Sequence, residues 1–421
     1  MKRPALCCLT SFLAVFCPGT VRSDGPDKSS GPGSFTSWHS ANGDMRLKLS
    51  GLLDIETYTL PSTAPGLIYS NDTFLFNPRL SLFLDGQAGR YLYFFTQARV
   101  DRGFDPSERG PQLRLDEYAL RYTPWEDGRF NVQFGKFATV TGNYAGRHLS
   151  WDNPFISAPL VYENLTGIWD YYAVDTPATL LAWGHVPTPE YSDFGDGYYD
   201  KHERLPVVWG PAYASGISIA GKFRKFEYAA EMKNAGLSSR PQSWDANHVN
   251  FSHPAFSTRL GYRPNMAWNL GFSAAAGPYL RPEAESTLPP GEDIGDYRQI
   301  TLGQDIGFEW HHLQLWAEAY WCRFEVPTVG DADTMGYYLE AKYKFTPQLF
   351  GALRWNQQFY SNIDYDGERI PWGRDIWRID TAVGYRFTPY TQLKLQYGLQ
   401  HERWADSDFE HLFATQFTAK F

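Results

Sequence analysis

The chain has 421 residues, 38 of them basic and 47 acidic, for a formal charge of -9 at pH 7. Acid excess on this scale excludes nucleic acid as a partner favoured by bulk electrostatics. Aromatic residues make up 17% of the sequence although the mean hydropathy is only -0.44, which suits strands that show lipid and water on alternate residues better than a soluble core.

Residues 1–23 read as a secretory signal, because Lys2 and Arg3 precede the apolar stretch Ala5–Phe16 and Val21 and Ser23 stand before Asp24. That stretch is too short to cross a bilayer as a helix, and no run of about 18 apolar residues occurs elsewhere. Cys7, Cys8 and Cys17 leave with the signal, so Cys322 is the one cysteine of the mature chain and neither an intramolecular disulfide nor a cysteine metal site is available. Cleavage also removes Lys2, Arg3 and Arg22 and no acid, which leaves 35 basic against 47 acidic residues and a charge of -12. Residues 24–44 are rich in Ser, Gly and Pro and are expected to form a flexible periplasmic lead-in.

From Arg46 onward about 18 segments alternate apolar and polar residues, most of them about 9 to 11 residues long, enough to cross an outer membrane at a strong tilt. They begin with Arg46–Leu60, Thr73–Asp85, Tyr91–Asp101, Leu113–Thr123 and Arg129–Phe137. Next come Leu165–Val174, Ala178–Val186, Ala212–Gly221, Lys225–Asn234, Ala255–Arg263, Ala267–Gly277, Arg298–Trp310 and Leu313–Glu325. Met335–Phe345, Leu349–Tyr360, Asp375–Phe387, Thr391–Arg403 and Phe409–Phe421 complete the series. Tight turns, such as Asp175–Ala178, Gly221–Arg224 and Thr346–Gln348, alternate with long links, notably Ala138–Asn164, Pro187–Pro211, Ala235–His253 and Tyr279–Tyr297. Arg121-Tyr-Thr-Pro124, Lys344-Phe-Thr-Pro347 and Arg386-Phe-Thr-Pro389 each end a strand, where proline costs no ladder donor and the aromatic suits the lipid interface.

The expected fold is therefore all-β: a transmembrane antiparallel β-barrel of 16 to 18 strands over residues 45–421, with short periplasmic turns and long external loops. The last segment carries Phe409, Phe413, Phe417 and Phe421 on one face. Its terminal aromatic is expected to be read by the barrel-assembly machinery of the bacterial outer membrane.

Alternation assigns Asn77, Arg79, Gln97, Arg99, Asp101 and Gln133 to a water-filled lumen, together with Arg354, Arg378 and Arg386 from later strands. Both signs are mixed along this wall, with no purely cationic ladder. The link Ala138–Asn164 is the densest in contact-forming residues and is the candidate constriction, through Tyr144, Arg147, His148, Trp151, Asp152 and Glu163.

Leu113-Arg-Leu-Asp-Glu-Tyr-Ala-Leu-Arg-Tyr-Thr-Pro124, followed by Phe130-Asn-Val-Gln-Phe-Gly-Lys-Phe137, resembles a segment of the outer-membrane porin superfamily, and of its phosphate-selective group in particular. The close match covers about 30 residues. It implies a pore with an inward-folded third external loop, a homotrimeric assembly, and cationic constriction residues. Against the anion selectivity of that group stand the acidic loops here, with Glu190, Asp193, Asp196, Asp200, Glu283, Glu285, Glu292, Asp293 and Asp296. Such rims gather cations and repel anions.

No enzyme signature is present, and no cofactor is expected. His311-His312, His148, His202, His248 and His253 lack metal-ligand spacing, and the adjacent acids Asp116 and Glu117 are expected on opposite faces of their strand unless a bulge intervenes. The expected function is diffusion of small hydrophilic solutes or ions across the outer membrane, with lipid around the barrel. Two alternatives are a saccharide-selective channel using loop aromatics such as Trp151, Tyr191, Tyr198, Tyr199 and Trp209, and a barrel with a plugged lumen acting as an adhesin or envelope scaffold.

Overall fold

A computed structural model describes residues 37–61, 64–70, 72–101, 112–185, 191–194, 197–200, 203–240, 249–403 and 409–421. Among these residues sixteen long strands form one closed antiparallel barrel. They are β1 (Met45–Thr59), β2 (Phe74–Ala88), β3 (Leu92–Asp101), β4 (Gln112–Tyr122), β5 (Asn131–Phe137), β6 (Ala214–Phe223), β7 (Phe226–Lys233) and β8 (Ala255–Tyr262). The series continues with β9 (Trp268–Pro278), β10 (Arg298–Trp310), β11 (Leu313–Val326), β12 (Gly330–Lys344), β13 (Leu349–Tyr360), β14 (Ile376–Thr388), β15 (Thr391–Glu402) and β16 (Glu410–Lys420). Closure runs from Leu52↔Lys420 to Thr59↔Phe413, so neither β1 nor β16 is left as a free edge there.

Period-two patterning decides which face turns inward. On β16, Phe413 and Phe417 point outward and are exposed, whereas Gln416 and Thr418 point inward and are buried. On β11 every second residue from Gln314 to Val326 is buried. One face of the barrel is thus an apolar belt, and the other lines an interior rich in polar groups. Phe421 finishes the closing seam. Its backbone exchanges hydrogen bonds with Gly51 at 3.0 and 3.1 Å, and its ring covers Gly51 so closely that a Cβ there would lie 2.3 Å from the ring. Beyond that point the three-residue strand Ser37–His39 pairs with Arg46–Lys48 and takes over the edge that β16 vacates. The expected signal, and the lead-in as far as residue 36, lie outside the described residues.

At one end of the barrel the connections are tight. Arg224 and His311 adopt φ of 56° and 52° at hairpin tips, so the His311-His312 pair is turn chemistry. At the other end lie the long loops, and one of them, residues 138–213 between β5 and β6, is far longer than the rest.

Two expected strands are absent. Residues 177–185 form a helix, α1 (Pro177–His185), with Leu180, Leu181 and Gly184 buried at helical spacing. The expected turn at Asp175–Ala178 is its start, where the Thr179 N–H donates to Thr176 Oγ1 at 3.1 Å. Residues 165–174 run through the same loop without forming a strand, held by an isolated bridge, Trp169 to Arg204, and by backbone hydrogen bonds to Glu203, Leu205 and Arg281. Both segments are apolar because they are buried inside the barrel, and a short apolar run does not separate helix from strand. Val186, Glu190, Asp196, His202 and His248 fall outside the described residues.

A bulge at Gln97/Ala98 shifts the pairing of β3 with β4. It brings Asp116 and Glu117 both to the interior, against the opposite-face expectation, because the extra residue resets the alternation.

Candidate functional site

The first part of the long loop between β5 and β6, residues 138–164, folds into the barrel and crosses it, passing from β5 to the far wall. Its course begins with Thr139 Oγ1 donating to Glu231 on β7 at 2.8 Å and the Gly142 N–H donating to Ser273 Oγ on β9 at 3.2 Å. Gly142 is needed at this crossing. Its φ is +70°, and a Cβ would meet the Tyr320 hydroxyl at 2.1 Å and Glu318 at 2.7 Å. Glu318 on β11 then gathers the next turn, accepting from the backbone N–H of Tyr144 at 3.0 Å and also from the Asn143 N–H and the Tyr162 hydroxyl.

The remaining anchors come mostly from cations of the wall. Arg147 reaches Glu340 on β12 at 2.6 Å and the Tyr338 hydroxyl at 2.8 Å, and its guanidinium lies 4.6 Å from the Trp316 ring centre. Lys394 on β15 donates to the carbonyls of Ser150, Asn153 and Phe155 at 2.8, 3.0 and 3.0 Å. Arg354 on β13 binds Ser157 and Ala158 while its Nε donates to Asp380 at 3.0 Å, and Arg378 on β14 pairs with Glu163 at 2.5 Å. These two arginines are fully or almost fully buried. They hold the loop, so their charge is not offered to a passing solute. Arg386 differs: its Nε donates to Gln392 at 3.0 Å, its Nη2 reaches the Trp151 carbonyl at 3.3 Å, and it lies 4.8 Å from the Trp151 ring centre, with Lys420 over the same ring at 4.1 Å.

On β1 to β4 the wall forms its own ion-pair network. Arg79 spans Asp54 at 3.2 Å and Glu56 at 2.5 Å, Asn77 donates to Glu56 at 3.1 Å, and Arg99 lies between Asp101 at 3.2 Å and Asp116 at 3.3 Å. Each of these groups is buried or half-buried, and the pairing compensates charges that burial would otherwise penalise.

Between this wall and the loop lies a cavity of about 260 Å³. Asp85, Tyr93, Phe95, Gln97, Glu117, Arg121 and Gln133 line it from β2 to β5, and His148 and Asp152 face it from the loop. Gln133 accepts from Arg121 at 3.0 and 2.8 Å, and Gln97 donates to the Tyr213 hydroxyl at 3.4 Å. His148 Nδ1 donates to the Ala145 carbonyl at 2.6 Å while Nε2 accepts from the Tyr213 hydroxyl at 2.9 Å, the neutral imidazole pattern. Burial pushes its pKa down to about 4. Burial pushes the Asp152 and Glu163 carboxyls the other way, above the usual carboxylate range.

Toward the loop end the interior is apolar. Trp209, Tyr213, Leu205, Val207 and Leu180 pack against Tyr320, Phe324, Tyr338 and Trp372, and a smaller cluster joins Tyr58, Leu60, Ile68 and Ile156 to Leu412. Trp209 is fully buried and not available for stacking on a sugar. Side chains of Tyr191, Tyr198 and Tyr199 lie outside the described residues.

The structure thus joins Trp151 with Arg386 and Glu163 with Arg378, and places His148, Asp152, Gln97 and Gln133 on one cavity. Asn77, Arg79, Arg99 and Asp101 sit apart in the β1 to β4 network. Glu318, Tyr320, Tyr338, Asp54 and Glu56 were not singled out from the sequence, although the same period of two marks each of them as inward.

No protein-family model matches the sequence, and a search of curated proteins finds no match. Solved structures do resemble the fold. OmpF of Salmonella typhi, in complex with daunomycin, aligns at TM-score 0.55 and 11% identity over 91% of this chain and 100% of that one. The anion-selective porin of Comamonas acidovorans aligns at 0.53 and 11% over 90% and 100%, and the outer-membrane channel DcaP of Acinetobacter baumannii at 0.54 and 11% over 92% and 100%. At such identities the likeness establishes the porin-type barrel, and it does not single out a phosphate-selective group.

Proposed function

We propose that this chain is a porin-type channel of the bacterial outer membrane, passing small hydrophilic solutes and ions by diffusion along a lumen narrowed by residues 138–164. The observation that carries this reading is the loop itself: it is fastened across the interior by wall charges, yet leaves a polar-edged cavity of about 260 Å³ beside β2 to β5. A narrow zone between fixed charges is where a pore discriminates. The exposed apolar belt meets lipid, the tight turns face the periplasm, and the terminal strand ending at Phe421 engages the assembly machinery. Trimer formation follows from the family resemblance.

A modest cation preference is expected. Glu283, Glu285, Glu292, Asp293 and Asp296 are exposed on one loop, and Arg354 and Arg378 are already neutralised by Asp380 and Glu163. Liposome swelling in small sugars and in salts tests the reading. Swelling that falls with solute size supports it, and no swelling by correctly folded protein removes it. A second reading has its own support: the two apolar clusters inside the loop end fit a plugged scaffold, and that outcome would match the absence of swelling.

A further inference from the structure

We infer that the cavity between β2 to β5 and the loop is a binding site for a small organic ammonium ion with an aromatic body. This rests on the channel reading only for its physiological purpose, since the site stands on its own geometry. Three features point to the ligand.

The first is the lining. Phe83, Tyr93 and Phe95 are inward-facing aromatics on adjacent strands where hydrophilic residues dominate elsewhere, and they are half-buried, so the cavity reaches their rings. Ring faces carry negative quadrupole charge and attract an ammonium that has shed water.

The second is unused acceptor capacity. Glu117 accepts the Ala138 N–H at 2.8 Å through one oxygen, and its other oxygen meets no donor among the described residues. Asp152 accepts no hydrogen bond among the described residues, although it faces the same cavity. Both side chains are half-buried, so these oxygens are open to the cavity, and a ligand ammonium can donate charge-assisted hydrogen bonds to them.

The third is the balance of charge. Asp85, Glu117 and Asp152 face the cavity against one cation, Arg121, which is turned toward Gln133 and lies 5.6 Å from the Tyr93 ring centre. His148 is neutral. Acids thus outnumber cations on the lining itself, with Lys342, Arg386, Lys394 and Lys420 set behind Asp152 and Lys233 behind Glu117, and the size, about 260 Å³, suits a single-ring solute.

Calorimetric titration of the full, detergent-folded chain with benzylammonium chloride tests the site, with benzoate and methylammonium as comparisons. Benzylammonium should bind at least about tenfold more tightly than either. Glu117→Gln should weaken it about tenfold, and Phe95→Leu, which keeps apolar volume but removes the ring face, about threefold to tenfold. Heat-modifiable gel mobility confirms that each variant is folded, and if one fails to fold the other decides. Equal or tighter binding of benzoate, no binding of benzylammonium at tens of millimolar, or binding indifferent to the folded variants would overturn the inference. Bilayer conductance separates this from the channel reading: binding without conductance keeps the site and removes the channel, and conductance without binding does the reverse.

Discussion

The Arg147 guanidinium donates to the Glu340 carboxylate across 2.6 Å, and both side chains are at most 4% exposed. One belongs to the loop and the other to β12, so this ion pair fastens the crossing segment to the wall opposite its origin. Removing Arg147 leaves buried Glu340 with only the longer contact to Arg354 at 3.6 Å, so the cost stays below the about 3 to 5 kcal/mol of a fully unpaired buried charge.

Arg147→Ala is therefore expected to unseat residues 138–164 without dismantling the barrel. Limited proteolysis should cut within the loop while heat-modifiable mobility is kept. The double variant Arg147→Met with Glu340→Met removes both charges and should restore most of the protease resistance. Equal cutting of single and double variants would assign the anchoring elsewhere.

At the closing seam, Phe421→Ala and Gly51→Val should each lower the yield of folded barrel. The first deletes the ring that covers Gly51, and the second drives a side chain into it. Phe417→Arg places a charge on the outward face, where the cost runs up to about 2 to 4 kcal/mol at mid-bilayer. Lys420→Gln, on the inward face of the same strand, should assemble as the parent does. Gel mobility of the four variants reads this directly. Normal assembly of Phe417→Arg would reverse the assigned faces.

Much of this architecture was legible in sequence because the membrane-facing alternation is a local pattern. Fourteen consecutive residues of β11 obey it, and the closing aromatics of β16 were visible without any partner strand. The loop was less legible. Leu165–Val174 and Ala178–Val186 read as strands because they are apolar, but their apolarity serves a core inside the barrel that no local pattern reveals. Gln416 illustrates the same limit. It is inward, as its phase requires, but it is packed on Glu56 rather than open to water, because the wall network of Asp54, Glu56 and Arg79 joins residues 23 to 364 positions apart. The bulge at Gln97/Ala98 resets the phase that Asp116 and Glu117 would otherwise follow.

Acid should loosen the loop through His148. Its pKa in the seated loop is about 4, below the ordinary 6.5, because burial disfavours the charged ring. The detached segment binds a proton first, so this contribution to seating is complete above pH 6.5 and is lost as pH falls toward 4. Arg99 and Arg79 oppose the protonated ring and Asp116 favours it, while the raised carboxyl of Asp152 acts in the contrary sense as it takes up a proton. The difference between parent and His148→Gln isolates the imidazole. The parent should show a greater gain in protease sensitivity between pH 7 and 4.5, and identical profiles would exclude the histidine.

Cys322 should be unreactive toward a water-soluble maleimide until the barrel is unfolded. It is fully buried in the interior apolar cluster, with Gln299 Nε2 3.2 Å from its sulfur. Labelling of the native protein at the rate of a free thiol would show that water reaches the apolar core around it.

Single-channel recording in a planar bilayer across a KCl gradient tests the central claim most directly, because it asks at once whether the lumen conducts and which charge governs it. The account predicts discrete conductance steps in the parent, a reversal potential on the cation-selective side, and larger steps for Arg147→Ala as the loop leaves the lumen. A folded, inserted parent that never conducts, with Arg147→Ala equally silent, would contradict it and leave the barrel as a plugged scaffold.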